Sequence, residues 1–186
     1  LSFNELYEDQ ILFEDLYKKI KEKGYELGDF RRGFADTKNG KLLQAKKLSI
    51  NKIGHAMHDL DPVFEKFSRT PKWAEIANDL GFEDPRILQS MFIFKQPKIG
   101  GEVSFHQDST FLYTEPLSVK GFWFALEDAN RENGCLQVAS GGHKGPLRKL
   151  FKRENNKMKM EELSNEPFPE TDTFVEVKKG SLVLLH

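Results

Sequence analysis

The chain has 186 residues, of which 38% are hydrophobic, 12% aromatic and 31% charged, with a net charge of -1. That length suits one globular domain with a substantial core, and the near-zero charge gives no basic field for binding nucleic acid through counterion release. A single cysteine, Cys135, excludes an intramolecular disulfide framework and a cysteine-based zinc finger and fits a reducing, cytoplasmic compartment, while no apolar run approaches the roughly 20 residues of a membrane span.

From the N-terminus, Phe3, Leu6, Tyr7, Ile11, Phe13, Leu16, Tyr17 and Ile20 recur at helical spacing, acids early and lysines late, before Gly24; the pattern predicts an amphipathic helix. Asn39-Gly40 reads as a hairpin turn. Asp61-Pro62 and Thr70-Pro71 each set an N-cap candidate before a proline at the first helical position, and Gly81 can end the second helix. After Pro85 the character changes to short strands, predicted over 87–95, 102–108, 119–127, 135–138, 173–177 and 181–186. Asn133-Gly134 marks a further turn, and the polar, Lys/Glu-rich stretch 144–172 reads as a long surface loop. Helices first and strands afterwards predict an α+β domain whose sheet folds on itself as a sandwich or jelly roll. Both ends read as edges of a longer reading frame, since the chain opens at Leu1 and stops at His186 directly after a strand-like run.

The chemistry concentrates at Val103-Ser104-Phe105-His106-Gln107-Asp108. On an extended strand residues i and i+2 share a face, so the His106 imidazole and the Asp108 carboxylate aim at one point. Joined by one more histidine, they form the protein half of the facial triad of non-heme Fe(II) oxygenases. Other candidates have plainer readings. His55 and His58, three residues apart, are structural; His143 lies in a glycine-rich turn; Cys135 is a small buried hydrophobe. By spacing alone His186 is a candidate third ligand.

Several runs together resemble the phytanoyl-CoA dioxygenase family. They are His106-Gln107-Asp108, Leu112-Tyr113-Thr114-Glu115-Pro116-Leu117, Gly121-Phe122-Trp123, Glu127-Asp128-Ala129 and Glu132-Asn133-Gly134-Cys135-Leu136, with Ser49-Ile50-Asn51-Lys52-Ile53-Gly54-His55-Ala56 and Gln89-Ser90-Met91-Phe92-Ile93-Phe94-Lys95-Gln96-Pro97 upstream. The likeness covers residues 33–186 within a single domain of 1–186, leaving 1–32 as a weakly matched helical segment. It implies a double-stranded β-helix, a jelly-roll variant, truncated at both ends and holding Fe(II) with 2-oxoglutarate as co-substrate and ascorbate as an auxiliary reductant. His106 and Asp108 would be the metal ligands, and Lys52, Met91, Trp123 and the His106-Gln107-Asp108 run, Gln107 included, would contact 2-oxoglutarate. Without the resemblance, Lys52 reads as a surface lysine, and Met91 and Trp123 as core. The family register sets the distal histidine a little beyond His186, followed by an arginine that clamps the keto acid. Ser140-Gly141-Gly142-His143 and Gln137 depart from the family pattern.

The expected activity is hydroxylation of a small or medium organic substrate entering over Phe105, Phe111 and Tyr113, with release of succinate and CO2. Halogenation would need the carboxylate position that Asp108 fills. The rivals are a non-catalytic binding domain built on the same scaffold and a cupin-like isomerase or lyase.

Overall fold

The computed structural model describes residues 52–97 and 103–186. The expected N-terminal helix and the Asn39-Gly40 hairpin lie outside the described residues. The chain divides into two compact units, Ser2–Gly101 and Glu102–His186, each taken by itself below.

In the first unit β1 (Lys52–His55) pairs antiparallel with β2 (Ser90–Ile93), and three helices lie between them: α1 (Met57–Leu60), α2 (Pro62–Ser68) and α3 (Pro71–Asp79). The start of α2 is the one its sequence predicts. Asp61 Oδ1 accepts the Val63 and Phe64 amides at 2.9 and 3.3 Å, and Pro62 occupies the first turn where no amide is needed. Thr70 departs from expectation, because its hydroxyl donates backwards to the Phe67 carbonyl at 2.9 Å and does not cap α3. Gly81 ends α3 as predicted: at φ 87° it takes the left-handed conformation while Phe82 N donates to Ala77 O and Gly81 N to Asn78 O. Phe64, Phe67, Trp73, Ile76 and Met57 are buried together with Ile53, each contributing on the order of 1.5–3 kcal/mol. The Trp73 indole N–H, which would otherwise be lost to water, donates to Phe67 O at 2.7 Å.

The described residues of the second unit form six strands in three antiparallel pairs, nested one inside the next. β3 (Gly121–Phe124) pairs with β8 (Leu182–Leu185), β4 (Leu136–Val138) with β7 (Thr173–Val175), and β5 (Lys149–Glu154) with β6 (Lys157–Glu162). The predicted strands over 119–127, 135–138, 173–177 and 181–186 are thus present in shortened form, as is 87–95 in the first unit. Asp128 locks the outer pair, accepting Lys178 Nζ at 2.7 Å and the Lys179 amide at 2.9 Å. These donors hold the Asp128 carboxyl below the ordinary aspartate range. Cys135 is buried directly after the turn at Gly134, whose φ is 85°.

Two expectations are corrected. The stretch 144–172 contains the β5–β6 hairpin instead of being loop throughout, turned by Asn155 and Asn156, both at positive φ (49° and 60°) as a tight two-residue turn requires. Its strands are legible only as charge, because cross-strand ion pairs hold them: Lys149 with Glu162 at 3.0 Å, Lys159 with Glu154 at 3.1 Å, and Lys152 with Glu161. The segment 103–107 is likewise not a paired strand among the described residues, and Asp108–Thr110 forms a 3-10 turn. Among the described residues no helix is long and apolar enough to cross a membrane.

Candidate metal centre

Three local choices bring His106 and Asp108 together. Gln107 between them is extended (φ -110°, ψ 131°), which preserves the i, i+2 alternation without a partner strand. The Ser104 carbonyl, which a ladder would use, is taken at 2.9 Å by the His106 Nδ1 two residues on. Asp108 then opens the 3-10 turn by accepting the Phe111 and Leu112 amides on its carbonyl. The result sets His106 Nε2 3.3 Å from Asp108 Oδ1, both side chains about half exposed.

The proton inventory makes this contact informative. A carbonyl oxygen only accepts, so Nδ1 of His106 carries the proton and donates it to Ser104. In the neutral ring Nε2 is then left with its lone pair, pointing at a carboxylate that is also a pure acceptor. At 3.3 Å the two groups are reconciled by a positive charge, either a second proton on Nε2, which makes an imidazolium paired with Asp108, or a bound cation. Metal–nitrogen and metal–oxygen bonds are each about 2 Å, so one ion can touch both atoms, and the Nδ1–H bond to a carbonyl is the usual orientation of a metal-binding histidine.

The surroundings explain how the carboxylate finds room. A Cβ on Gly121 would sit 3.2 Å from Leu185 Cβ and in ordinary contact, 3.7 Å, with Asp108 Oδ2, so the carboxylate lies against the head of β3. Gly121 and Trp123 share one face of the β3–β8 pair with Leu185 and Val183 directly opposite, so Asp108 and Trp123 lie along the same face. Gln107 points away from the pair: its Nε2 donates to Pro146 O at 3.0 Å and its Oε1 accepts the Arg148 amide at 3.0 Å. Sequence reasoning assigned Gln107 to the co-substrate; the structure gives its amide these two backbone partners. Arg148 is buried, with its guanidinium donating to the carbonyls of Pro146, Glu166 and Pro167 at 3.1–3.2 Å.

Lys52 and Met91 belong to the first unit and share a face there. Lys52 is opposite Ile93 and Gly54 opposite Met91, and a Cβ at Gly54 would meet Met91 Cβ at 2.8 Å. Glycine is therefore what lets Met91 lie across β1, diagonal to half-buried Lys52.

The remaining histidines separate from the pair. His58 is buried, His55 accepts or donates at 2.8 Å with Gln89, and His143 lies in a 3-10 turn (Gly142–Lys144) with its ring 4.8 Å from that of His186. Although His186 is exposed as a residue, loss of hydration, then the charge of Lys120, then His143, lower its pKa below the ordinary histidine value. Among the described residues no three His, Cys, Asp or Glu side chains are grouped to hold an ion, so His186 is not placed as a third donor beside His106 and Asp108.

The family model for phytanoyl-CoA dioxygenase (PhyH) matches residues 14–186. The chain belongs to the phytanoyl-CoA dioxygenase family. The family match begins at residue 14, upstream of the motifs that carry the resemblance. The chain is 47% identical over 157 residues to a phytanoyl-CoA dioxygenase of Arabidopsis thaliana, covering 83% of this chain and 54% of that protein. It is 48% identical over 159 residues to phytanoyl-CoA dioxygenase 1 of Oryza sativa subsp. japonica, with the same coverage. It is 46% identical over 162 residues to phytanoyl-CoA dioxygenase domain-containing protein 1 of Rattus norvegicus, covering 84% of this chain and 55% of the relative. The chain spans about half the length of the curated relatives it matches.

Proposed function

We propose that the chain is part of an Fe(II)/2-oxoglutarate-dependent dioxygenase that hydroxylates a small or medium organic molecule. The observation that carries this reading is the convergence of His106 Nε2 and the Asp108 carboxylate at 3.3 Å, with the imidazole oriented through Nδ1 by the Ser104 carbonyl. A mixed nitrogen and oxygen donor pair suits ferrous iron, and family membership supports a dioxygenase. The nested pairing of β3 to β8 supports the jelly-roll form expected of the family.

When bound, ferrous iron with 2-oxoglutarate would couple oxidative decarboxylation of the keto acid, to succinate and CO2, to insertion of oxygen into a substrate C–H bond. The chain's own residues supply ligands, orientation and shielding. His106 offers Nε2 with its ring fixed through Nδ1–H, and Asp108 offers a carboxylate whose charge offsets that of the metal. Trp123 shields one side.

The second reading, a domain that binds without turning over, is favoured by the donor count of two among the described residues. Succinate release separates them. The 186-residue chain and a version extended to the length of the relatives are each mixed with Fe(II), ascorbate and 2-oxoglutarate. We expect turnover by the extended chain and its loss in Asp108→Ala. Silence from both chains, with Fe(II) bound, would favour the binding domain; failure of either to bind Fe(II) would sink the metal centre itself.

A further inference from the structure

We infer that the apolar face of the β5–β6 hairpin is the wall that binds the uncharged, apolar portion of the substrate, with Phe151 and Met160 as specificity-determining residues. The inference rests on the metal-centre reading above and extends it to a hairpin whose sequence looks like a solvated loop.

The register divides the hairpin into two unlike faces. On one face Phe151 is opposite Met160 and Arg153 opposite Met158, with the Lys149–Glu162 ion pair at the open end of the hairpin, while the other carries Lys152, Glu154, Lys157, Lys159 and Glu161 beside Leu150. On the charged face Lys152 pairs with Glu161 and Lys159 with Glu154. On the apolar face Phe151, Met158 and Met160 are 36%, 56% and 40% exposed. Three large apolar side chains side by side in water are unfavourable unless something covers them in use. Methionine suits a surface that must adapt to a flexible carbon skeleton.

Position identifies what covers them. The Phe111 ring lies 6.4 Å from the His106 ring and 5.8 Å from the Phe151 ring, so apolar contact runs unbroken from the metal-binding imidazole onto the hairpin. A polar tie runs beside it, because Gln107, between the two proposed ligands, grips Pro146 O and the Arg148 amide immediately before β5 begins. The hairpin is thereby held at a fixed offset from His106 and Asp108. An apolar group resting on Phe151 and Met160 extends toward the centre over Phe111.

The test uses the chain with carbon-13 in the methyl groups of its four methionines, titrated with octanol, and with glycerol as the polar control. We expect saturable shifts at Met158 and Met160, still signals at Met57 and Met91, and no response to glycerol. Phe151→Ala and, separately, Met160→Gln should weaken octanol binding about tenfold; both positions are exposed, so the fold tolerates the change. Arg153→Gln, on the same face, should leave it unchanged. Equal drift of all four signals, or wild-type octanol affinity in both variants, overturns the inference. So do Met158 and Met160 signals that move on dilution of the protein alone, which would make a second copy the occupant. A parallel Mn(II) titration keeps the two readings apart. Loss of metal binding with intact octanol binding strikes the metal centre, and the reverse strikes the wall alone.

Discussion

Among the described residues two histidine–aspartate pairs have the same 3.3 Å separation, and their rings are held differently. His58 Nε2 faces Asp59 Oδ2 in the first unit, and His106 Nε2 faces Asp108 Oδ1 in the second. What differs is the partner of the other nitrogen. His58 Nδ1 meets the Ser90 hydroxyl at 2.7 Å, and that oxygen already accepts the His58 amide at 2.9 Å. A neutral ring is then fully satisfied: the hydroxyl donates to Nδ1, and Nε2–H donates to Asp59, which also binds Arg69 at 2.7 Å. His106 has a carbonyl where His58 has a hydroxyl, so its proton is drawn to the far side and its lone pair meets a carboxylate. Distance alone does not separate the two pairs; the group behind each ring, a hydroxyl for His58 and a carbonyl for His106, does.

The comparison breaks most easily on metal affinity. His106→Ala or Asp108→Ala should weaken Mn(II) binding by at least about a hundredfold, whereas His58→Ala should leave it unchanged, as read by calorimetric titration. Equal losses from both pairs would dissolve the distinction. Next in size, His58→Ala should cost about 2–3 kcal/mol of unfolding free energy in a urea titration, because it empties a buried site and removes the ring's hydrogen bond to half-buried Ser90. Gln107→Ala should then lower Mn(II) affinity about tenfold by loosening the turn. Nitrogen-15 spectra of the metal-free protein above pH 8 should place the proton of His106 on Nδ1 and that of His58 on Nε2. The smallest effect concerns Asp128, whose carboxylate accepts from Lys178 Nζ and the Lys179 amide. Its lowered pKa means that its contribution to stability is fully present above the ordinary aspartate value of about 4 and is lost as pH falls through the lowered one. Asp128→Asn should flatten that acid limb in urea midpoints measured against pH.

Signals that are local in the chain were legible before the fold. Asp61-Pro62, Gly81 and Gly134 act through their own backbone, so α2, the end of α3 and the turn before β4 follow from residue type. The His106/Asp108 convergence also follows, because alternation needs only an extended residue between them. What escaped depends on partners far away in sequence. The β5–β6 hairpin hides its period under lysine and glutamate, since one face is charged and the other nearly as open; the Asn155-Asn156 pair was the available signal. Gln107 reaches residues 39 and 41 positions on, which no local pattern reports. His186 has ligand-like spacing, yet it sits with His143.

The burial of Cys135 has a practical side. Because it is the one sulfhydryl in the sequence and is enclosed behind the turn at Gly134, a cysteine introduced at an exposed position such as Met158 would be the accessible target for a spin label. Ruler measurements from that label to a paramagnetic ion at the metal centre then need no prior removal of native thiols.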